Sequence, residues 1–419
     1  MRIAVVGGGT GGAASALLLA RDGHDVEIFE RVPDPRPVGA GILLQPLGQR
    51  ILATLGLADE LEQASTPVRR IEGRIGGPNG RFLLRFGYED ARSPHVGLGV
   101  NRGALFGVLW KALEAAGVPA HVGWEVDRVH LEPDGAQLVR TDGETAGPFD
   151  LVVAADGARS RIRRQLGLAT KDIRYPFGAL WTVVPDPDGL VPDALVQRYR
   201  DTRTMLGFLP TGIGETSIFW SIRNRDAEAA IAAGPGWFVD RALPYAPDFA
   251  PLLERVREAR ILNAAYRDVV VPHPSTVVGR AGVALVGDAA HAMSPQLGMG
   301  ASLALADAWS LAAALRDTTS LAEALDAYGR DRRAHVRWYT WLSRLMTPAF
   351  QSNLVPLAWG RDPMFSLAAE IGLARAQFAK ILLGEQTSPF TLWAPAKRGG
   401  PLAPAPNLER DSVRYRSAT

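Results

Sequence analysis

The first thirty residues hold a strand, a glycine turn, a helix, a second strand and a terminal acid in that order, and few architectures accept such a unit. Arg2-Ile3-Ala4-Val5-Val6 is a short β-branched run of the kind a buried parallel strand needs, and it leads straight into Gly7-Gly8-Gly9-Thr10-Gly11-Gly12. Gly7, Gly9 and Gly12 fill the spacing G-x-G-x-x-G. Gly7 permits the tight turn, Gly9 leaves bare backbone for a pyrophosphate, and Gly12 lets the next helix sit close to the strand. That helix, expected over 13–21, stops at Asp22-Gly23-His24; 26–29 is the second strand, and Glu30 ends it with Arg31 beyond. A carboxylate there can accept both hydroxyls of an adenosine ribose and repels a 2′-phosphate. The helix head, from Thr10 and Gly11 onward, offers amides and a positive dipole end to phosphates.

Size and charge narrow the class further. At 419 residues the chain exceeds one ordinary core, so two interleaved domains are expected. Forty-six basic and forty-four acidic residues nearly cancel, which argues against a nucleic-acid partner. Cysteine is absent, which removes disulfides, thiolate metal sites and cysteine nucleophiles. No metal site is expected, and redox chemistry would have to come from a cofactor. The chain opens directly on a strand, and Asp307 interrupts the apolar stretch 303–315; the expectation is a cytoplasmic protein with neither signal peptide nor membrane span.

Further along, 39–46 is expected to be a mobile glycine loop ahead of a helix over 47–55. The segment 69–86 folds back on itself around Gly76-Gly77-Pro78-Asn79-Gly80 as a hairpin. A helix over 103–116 and strands over 121–129, 137–140 and 151–154 follow. From 174 to 271 the pattern is strand-rich, pointing to a second sheet, and 280–286 is again a buried strand. The chain is then helical to about 383, and 386–419 is expected to be an extended tail.

Three more constellations sit near strand ends. Asn101-Arg102-Gly103 places an arginine at a helix start, where it could fork onto a phosphate. Asp156-Gly157-Ala158-Arg159-Ser160-Arg161-Ile162-Arg163 joins an acid, a turn glycine, a helix-capping serine and Arg163. The segment from Gly287-Asp288-Ala289-Ala290-His291 through Pro295, Gly298, Gly300 and Ala301 is again strand, glycine, acid and loop ahead of a helix. Asp288 is placed for a ribityl hydroxyl, and the helix head for the N1–C2=O edge of a flavin, where negative charge gathers on reduction. Together with the first unit this points to FAD.

With these motifs in order over roughly residues 1–345, the chain resembles the group A FAD-dependent aromatic hydroxylases, the family of p-hydroxybenzoate and salicylate hydroxylases. The resemblance implies an α/β fold: a Rossmann-like FAD-binding domain (1–72, 95–173 and 278–345) interleaved with a β-sheet-rich substrate domain (73–94 and 174–277), then a C-terminal helical region (346–385) and the tail. It implies that Gly7, Gly9, Gly12 and Glu30 hold the ADP part of FAD, that Asp156, Gly157, Ser160 and Arg163 serve FAD and the pyridine nucleotide, and that 287–300 lies against the ribityl chain and isoalloxazine. Where the family often has proline after the histidine, and glutamine and asparagine later, this chain has Ala292, Met299 and Ser302. The implied activity is an NAD(P)H-consuming monooxygenase that inserts one atom of O2 into an aromatic or other electron-rich small molecule through a flavin C4a-hydroperoxide. NADH or NADPH would visit transiently, since no second nicotinamide fingerprint exists.

Catalytic side chains are harder to name. Gln45, Gln197, Met205, Phe208 and Trp220 are candidates for a substrate pocket, and Arg198, Tyr199 and Pro295 for catalytic contacts; strand alternation will turn only some of them inward. His291 reads as a structural hydrogen-bonder, and Trp338, Tyr339 and Trp341 as helix packing. Flavin halogenases carry a W-x-W-x-I-P motif and an active-site lysine that are not found here. A flavoprotein epoxidase or reductase of the same fold, or a non-redox FAD scaffold or cyclase, would share the motifs. Oligomeric state is not legible.

Overall fold

The computed structural model describes residues 1–35 and 39–393. Strand β1 (Arg2–Val6) lies at the centre of a six-stranded sheet, flanked in parallel by β2 (Asp25–Glu30) and by Leu151–Ala154; Ala281–Leu285 follows in parallel, with Ser275–Val278 antiparallel at one edge and Ala120–Val122 parallel at the other. Successive side chains of a strand point to opposite faces. Ile3 and Val5 join the core under helix α1 (Thr10–Arg21), the helix Arg102–Ala115 and the helix Gly300–Asp317, while Ala4 and Val6 face a three-stranded antiparallel sheet, Val126–Glu132, Gly135–Arg140 and Thr145–Phe149. Burial on both faces is why β1 carries an unbroken apolar run.

Helix α1 starts three residues earlier than expected, because both glycines of Thr10-Gly11-Gly12 lie in its first turn. A Cβ on Gly12 would lie 1.9 Å from the carbonyl oxygen of Gly7, so only glycine lets the helix settle against the turn. The supposed loop 39–46 contains the strand Gly41–Leu44, paired antiparallel with Gly97–Asn101, which also pairs with Ser65–Val68; Pro46 then opens the helix Pro46–Thr54. This small sheet abuts a larger one, and the Gly41 amide donates to Ser217 Oγ at 3.0 Å.

The larger sheet has seven strands in the order Leu262–Val270, Lys171–Pro185, Glu215–Arg223, Thr204–Pro210, Ala194–Arg200, Arg70–Ile75 and Phe82–Gly87. The last two form the expected antiparallel hairpin and join the others through a parallel pairing with Ala194–Arg200. The strand-rich stretch is interrupted by helices Ala227–Ala232, Pro235–Ala242 and Ala250–Arg255, which cover one face of the sheet. The other face meets the small sheet and the C-terminal helices.

The long helix Leu321–Phe350 and the helices Leu357–Glu370 and Gly372–Leu383 close the molecule. Beyond them the chain does not run on as an extended tail at once: Gln386–Ser388 and Thr391–Leu392 pair, and Trp393 is buried, stacked on His335 at 4.9 Å. The rest of the expected tail, 394–419, lies outside the described residues. None of the described helices is long and apolar enough to cross a membrane.

Candidate flavin site

The glycine turn shows which of its members the fold itself requires. Gly7 has φ +101, and a Cβ there would meet Ala155 O at 2.5 Å. Gly9 is different: a Cβ on it meets nothing within 4 Å. It precedes α1 in an extended conformation, and no side chain caps the first amides, those of Thr10, Gly11 and Gly12. Glu30 stands beside them, its Oε2 accepting from the Gly8 amide at 2.7 Å and its Oε1 from the Val32 amide at 2.9 Å. Each oxygen keeps a further lone pair for a ribose hydroxyl. Arg31 and Arg102 are exposed, and Asn101 caps the helix of Arg102 through the Gly103 amide at 2.9 Å.

The second motif divides its labour. Ser160 Oγ accepts from the Arg163 amide at 2.9 Å, an ordinary N-cap. Arg163 is fully buried and donates to Ala158 O at 2.9 Å, Ala289 O at 2.8 Å and Asp172 Oδ2 at 2.8 Å, tying this loop to the turn that carries Asp288. Asp156 Oδ2 accepts from the Arg161 amide at 2.8 Å, while its Oδ1 is buried without a partner. Burial pushes the Asp156 carboxyl above its ordinary pKa. A buried, unsatisfied acceptor beside Gly7 is what a ligand hydroxyl would satisfy.

In the third motif Gly287 adopts φ +60 and Asp288 begins the short helix Asp288–His291, exposed, its carboxylate making no hydrogen bond or ion pair to any described residue. Pro295–Leu297 makes a 3₁₀ turn, Gly298 is left-handed at φ +60, and Gly300 opens the eighteen-residue helix Gly300–Asp317 with no side-chain cap. A Cβ on Gly300 would likewise meet nothing within 4 Å. Gln45, fully buried, accepts from Tyr88 Oη at 2.5 Å, and its Nε2 has no partner. A Cβ on Gly298 would lie 3.4 Å from that nitrogen, so the free amide stands against Gly298, just ahead of the helix head. Two open glycine positions, two uncapped helix heads and the orphaned Asp156 Oδ1 fit a dinucleotide flavin along this path.

The candidate side chains of the large sheet separate by face. Gln197, Tyr199 and Met205 lie on the front, Tyr199 Oη donating to Gln197 Oε1 at 2.8 Å. Tyr199 is packed edge-on against Phe350, and burial raises its pKa, so it is no proton shuttle near neutral pH. Arg198, Phe208 and Trp220 lie on the other face, which corrects the expectation for them. Phe208 and Trp220 belong to the core beneath the covering helices, and Arg198 pairs with Asp248 at 2.6 Å. Alternation along Ala194–Arg200 and its neighbours dictates this once the register is set.

Behind the third motif lies a network the sequence signalled only through the isolated acid in 303–315. Asp307 is wholly buried; it accepts from His291 Nε2 at 2.6 Å, Arg332 Nε at 2.7 Å and the Gly287 amide at 2.8 Å. His291 is thus the structural hydrogen-bonder expected. Arg332 continues to His335 Nδ1 at 2.6 Å, whose Nε2 donates to Gly384 O at 2.6 Å. Burial holds His335 well below its ordinary pKa, in keeping with that neutral tautomer. Tyr88 and Gln49, which brace Gln45 and its helix, carried no signal in the sequence, and Ser302, noted only as a departure from the family's pattern, accepts from the Gln45 amide at 3.2 Å.

Known proteins resemble this chain over most of its length. The family model described as "FAD binding domain" matches residues 1–341. The chain is 33% identical over 336 residues to 3-amino-4-hydroxybenzoate 2-monooxygenase of Streptomyces cremeus, covering 75% of this chain and 78% of that one. It is 28% identical over 343 residues to the FAD-dependent urate hydroxylase of Klebsiella pneumoniae subsp. pneumoniae, covering 80% and 87%. Among solved structures, that of 2-methyl-3-hydroxypyridine-5-carboxylic acid oxygenase superposes with a TM-score of 0.70 at 26% identity over 87% of this chain and 97% of that one. Klebsiella pneumoniae HpxO complexed with FAD and uric acid shares the fold, with a TM-score of 0.76 at 23% identity over 91% and 97%. The chain is therefore a member of the FAD binding domain family, on the branch of FAD-dependent hydroxylases and monooxygenases.

Proposed function

We propose that this FAD-dependent monooxygenase uses NADH or NADPH and O2 to hydroxylate a small, planar aromatic ring, heterocyclic or amino-substituted, that carries polar groups. Bound FAD supplies hydride acceptance and O2 activation. The observation that carries the substrate class is the unpartnered Gln45 Nε2, fully buried at the head of Gly300–Asp317. A donor buried in that way recognises a ring nitrogen or carbonyl far better than a hydrocarbon.

In this reading the amides of Thr10, Gly11 and Gly12 hold the pyrophosphate, with Arg31 and Arg102 in reach of the phosphates, and Glu30 holds the ribose. Asp288 accepts from the ribityl chain, Asp156 Oδ1 accepts a further hydroxyl, and residues 298–301 present amides and a dipole end to the N1–C2=O edge. Pro295 walls the site against water. Gln45 orients the ring, and Gln197 and Met205 line the sheet side. The domain boundaries set out from the sequence are retained as part of this proposal, with the large sheet as the substrate half. The names of the relatives, which include a urate hydroxylase, a 6-hydroxynicotinate 3-monooxygenase and an aminohydroxybenzoate monooxygenase, support the ring class.

A panel of hydroxypyridine carboxylates, oxopurines, quinolones and aminohydroxybenzoates, scored for stimulated NAD(P)H oxidation and hydroxylated product, tests it. At least one polar ring compound should stimulate turnover and be hydroxylated, and Gln45→Leu should raise KM for it at least tenfold. Turnover stimulated only by alkenes or apolar arenes would overturn the substrate class.

A further inference from the structure

A cavity of about 400 Å³ opens between the 269–274 turn, the short helix Asp288–His291 and the outer side of the long helix. Of the three sequence motifs only the third touches it, through Ala290 and His291. On the helix side its lining residues Arg333, Val336, Arg337, Thr340 and Arg344 recur at three- and four-residue intervals and so form one stripe. Across from them Val269, Val271, Pro272 and Pro274 give an apolar wall.

The charges in this cavity do not balance. Asp307 is its only lining acid, and it is already committed to Arg332 and His291. Arg344 pairs with Asp268 at 2.7 Å, but Lys171 binds the same carboxylate at 2.7 Å. Arg333 and Arg337 are exposed, and their guanidinium groups make no hydrogen bond or ion pair with any described residue. His291, which lines the cavity and is 4% exposed, holds Asp307 through Nε2 while its Nδ1 has no partner. Two free guanidinium forks and an excess of positive charge beside an apolar wall recognise an oxyanion on a small organic body.

We propose that this cavity is a second ligand site, separate from the flavin path, for a small organic anion bearing a carboxylate or a phosphate. Its floor shares one carboxylate with the turn ahead of Asp288, since Asp307 Oδ2 accepts from both His291 and the Gly287 amide. The oxyanion lies between Arg333 and Arg337, and the organic body rests on the valines and prolines.

The test uses the full chain loaded with FAD. Calorimetric titration with benzoate, phenyl phosphate and neutral benzamide compares wild type with Arg333→Gln/Arg337→Gln and, as a control outside the cavity, Arg225→Gln. Neither Arg333 nor Arg337 supports the fold, so the double variant should melt like wild type. The expected result is saturable binding of at least one oxyanion, absent for benzamide, at least tenfold weaker in the double variant and unchanged in Arg225→Gln. Preference for phenyl phosphate would mark a nucleotide or phosphate ester as the natural ligand, and preference for benzoate an aromatic acid. No saturable binding, or binding indifferent to the double variant, would overturn the site.

Discussion

Replacing Gly9 by valine asks whether the turn after β1 is kept empty for a phosphate. The backbone at Gly9, φ −66 and ψ −178, is open to any residue, and a Cβ there meets nothing within 4 Å. The free protein should therefore keep its fold, with a stability change within about 0.5 kcal/mol. With FAD bound, the valine methyls would stand in front of the Thr10 and Gly11 amides. Two charge-assisted hydrogen bonds at about 1.5–3 kcal/mol each would be lost, which weakens FAD by about a hundredfold or more. Gly12→Ala is the contrasting control: its Cβ would fall 1.9 Å from Gly7 O, so the helix must move and the melting temperature should drop whether or not FAD is present. Circular dichroism melts with FAD titration separate the two effects. A Gly9→Val protein that binds FAD like wild type, or that melts far below it, would refute the reasoning.

Asp288→Ala should weaken FAD about ten- to a hundredfold, from the loss of one charge-assisted bond; unchanged affinity in a folded variant, measured by flavin titration, would show the third motif to be misplaced. Phe208→Ala should cost about 3–5 kcal/mol of stability, because the ring is wholly buried and packs on Phe249 at 4.4 Å, while leaving KM near wild type; a raised KM without a lower urea midpoint would put that face back in the pocket. For Asp307, burial alone would raise the pKa, but the charges of His291 and Arg332 outweigh it and bring the group from 3.8 to about 2. A depressed folded pKa stabilises the protein above pH 3.8, and that contribution, about 2 kcal/mol, is lost as pH falls from about 4 towards 2. Urea midpoints against pH should show this loss, and Asp307→Asn should flatten it while costing about 3–5 kcal/mol at neutral pH by stranding Arg332; an unchanged acid limb in the variant would contradict the assignment.

The βαβ unit and the three motifs were legible because their logic is local: a β-branched run, glycines where backbone must approach backbone, and an acid at a strand end. The covering helices 227–255 were not, since an alanine-rich stretch inside a strand-rich region gives no periodic signal strong enough to interrupt it. The face of Arg198 against that of Tyr199 was beyond reach for another reason. Alternation along a strand places them on opposite sides, but which side meets the flavin half is decided by pairing with strands dozens of residues away. The segment 39–46 looked like a loop for Gly39 and Gly41, yet both serve close packing: a Cβ on Gly39 would lie 2.6 Å from Arg102 Cβ, and one on Gly41 2.3 Å from Thr211 Cγ2. Asp307 was visible as an isolated acid in an apolar helix, and only its partners 16 and 25 residues away explain it.

The most direct test of the central claim follows the oxygen atom. The FAD-loaded protein would be given NADH or NADPH, oxygen-18 gas and the panel compound that best stimulates oxidation, and the product analysed by mass spectrometry. One labelled oxygen on the ring and one reductant consumed per product formed are expected, with no label taken up from oxygen-18 water. Reductant consumption that ends wholly in hydrogen peroxide across the panel, or a product whose new oxygen comes from water, would contradict the claim.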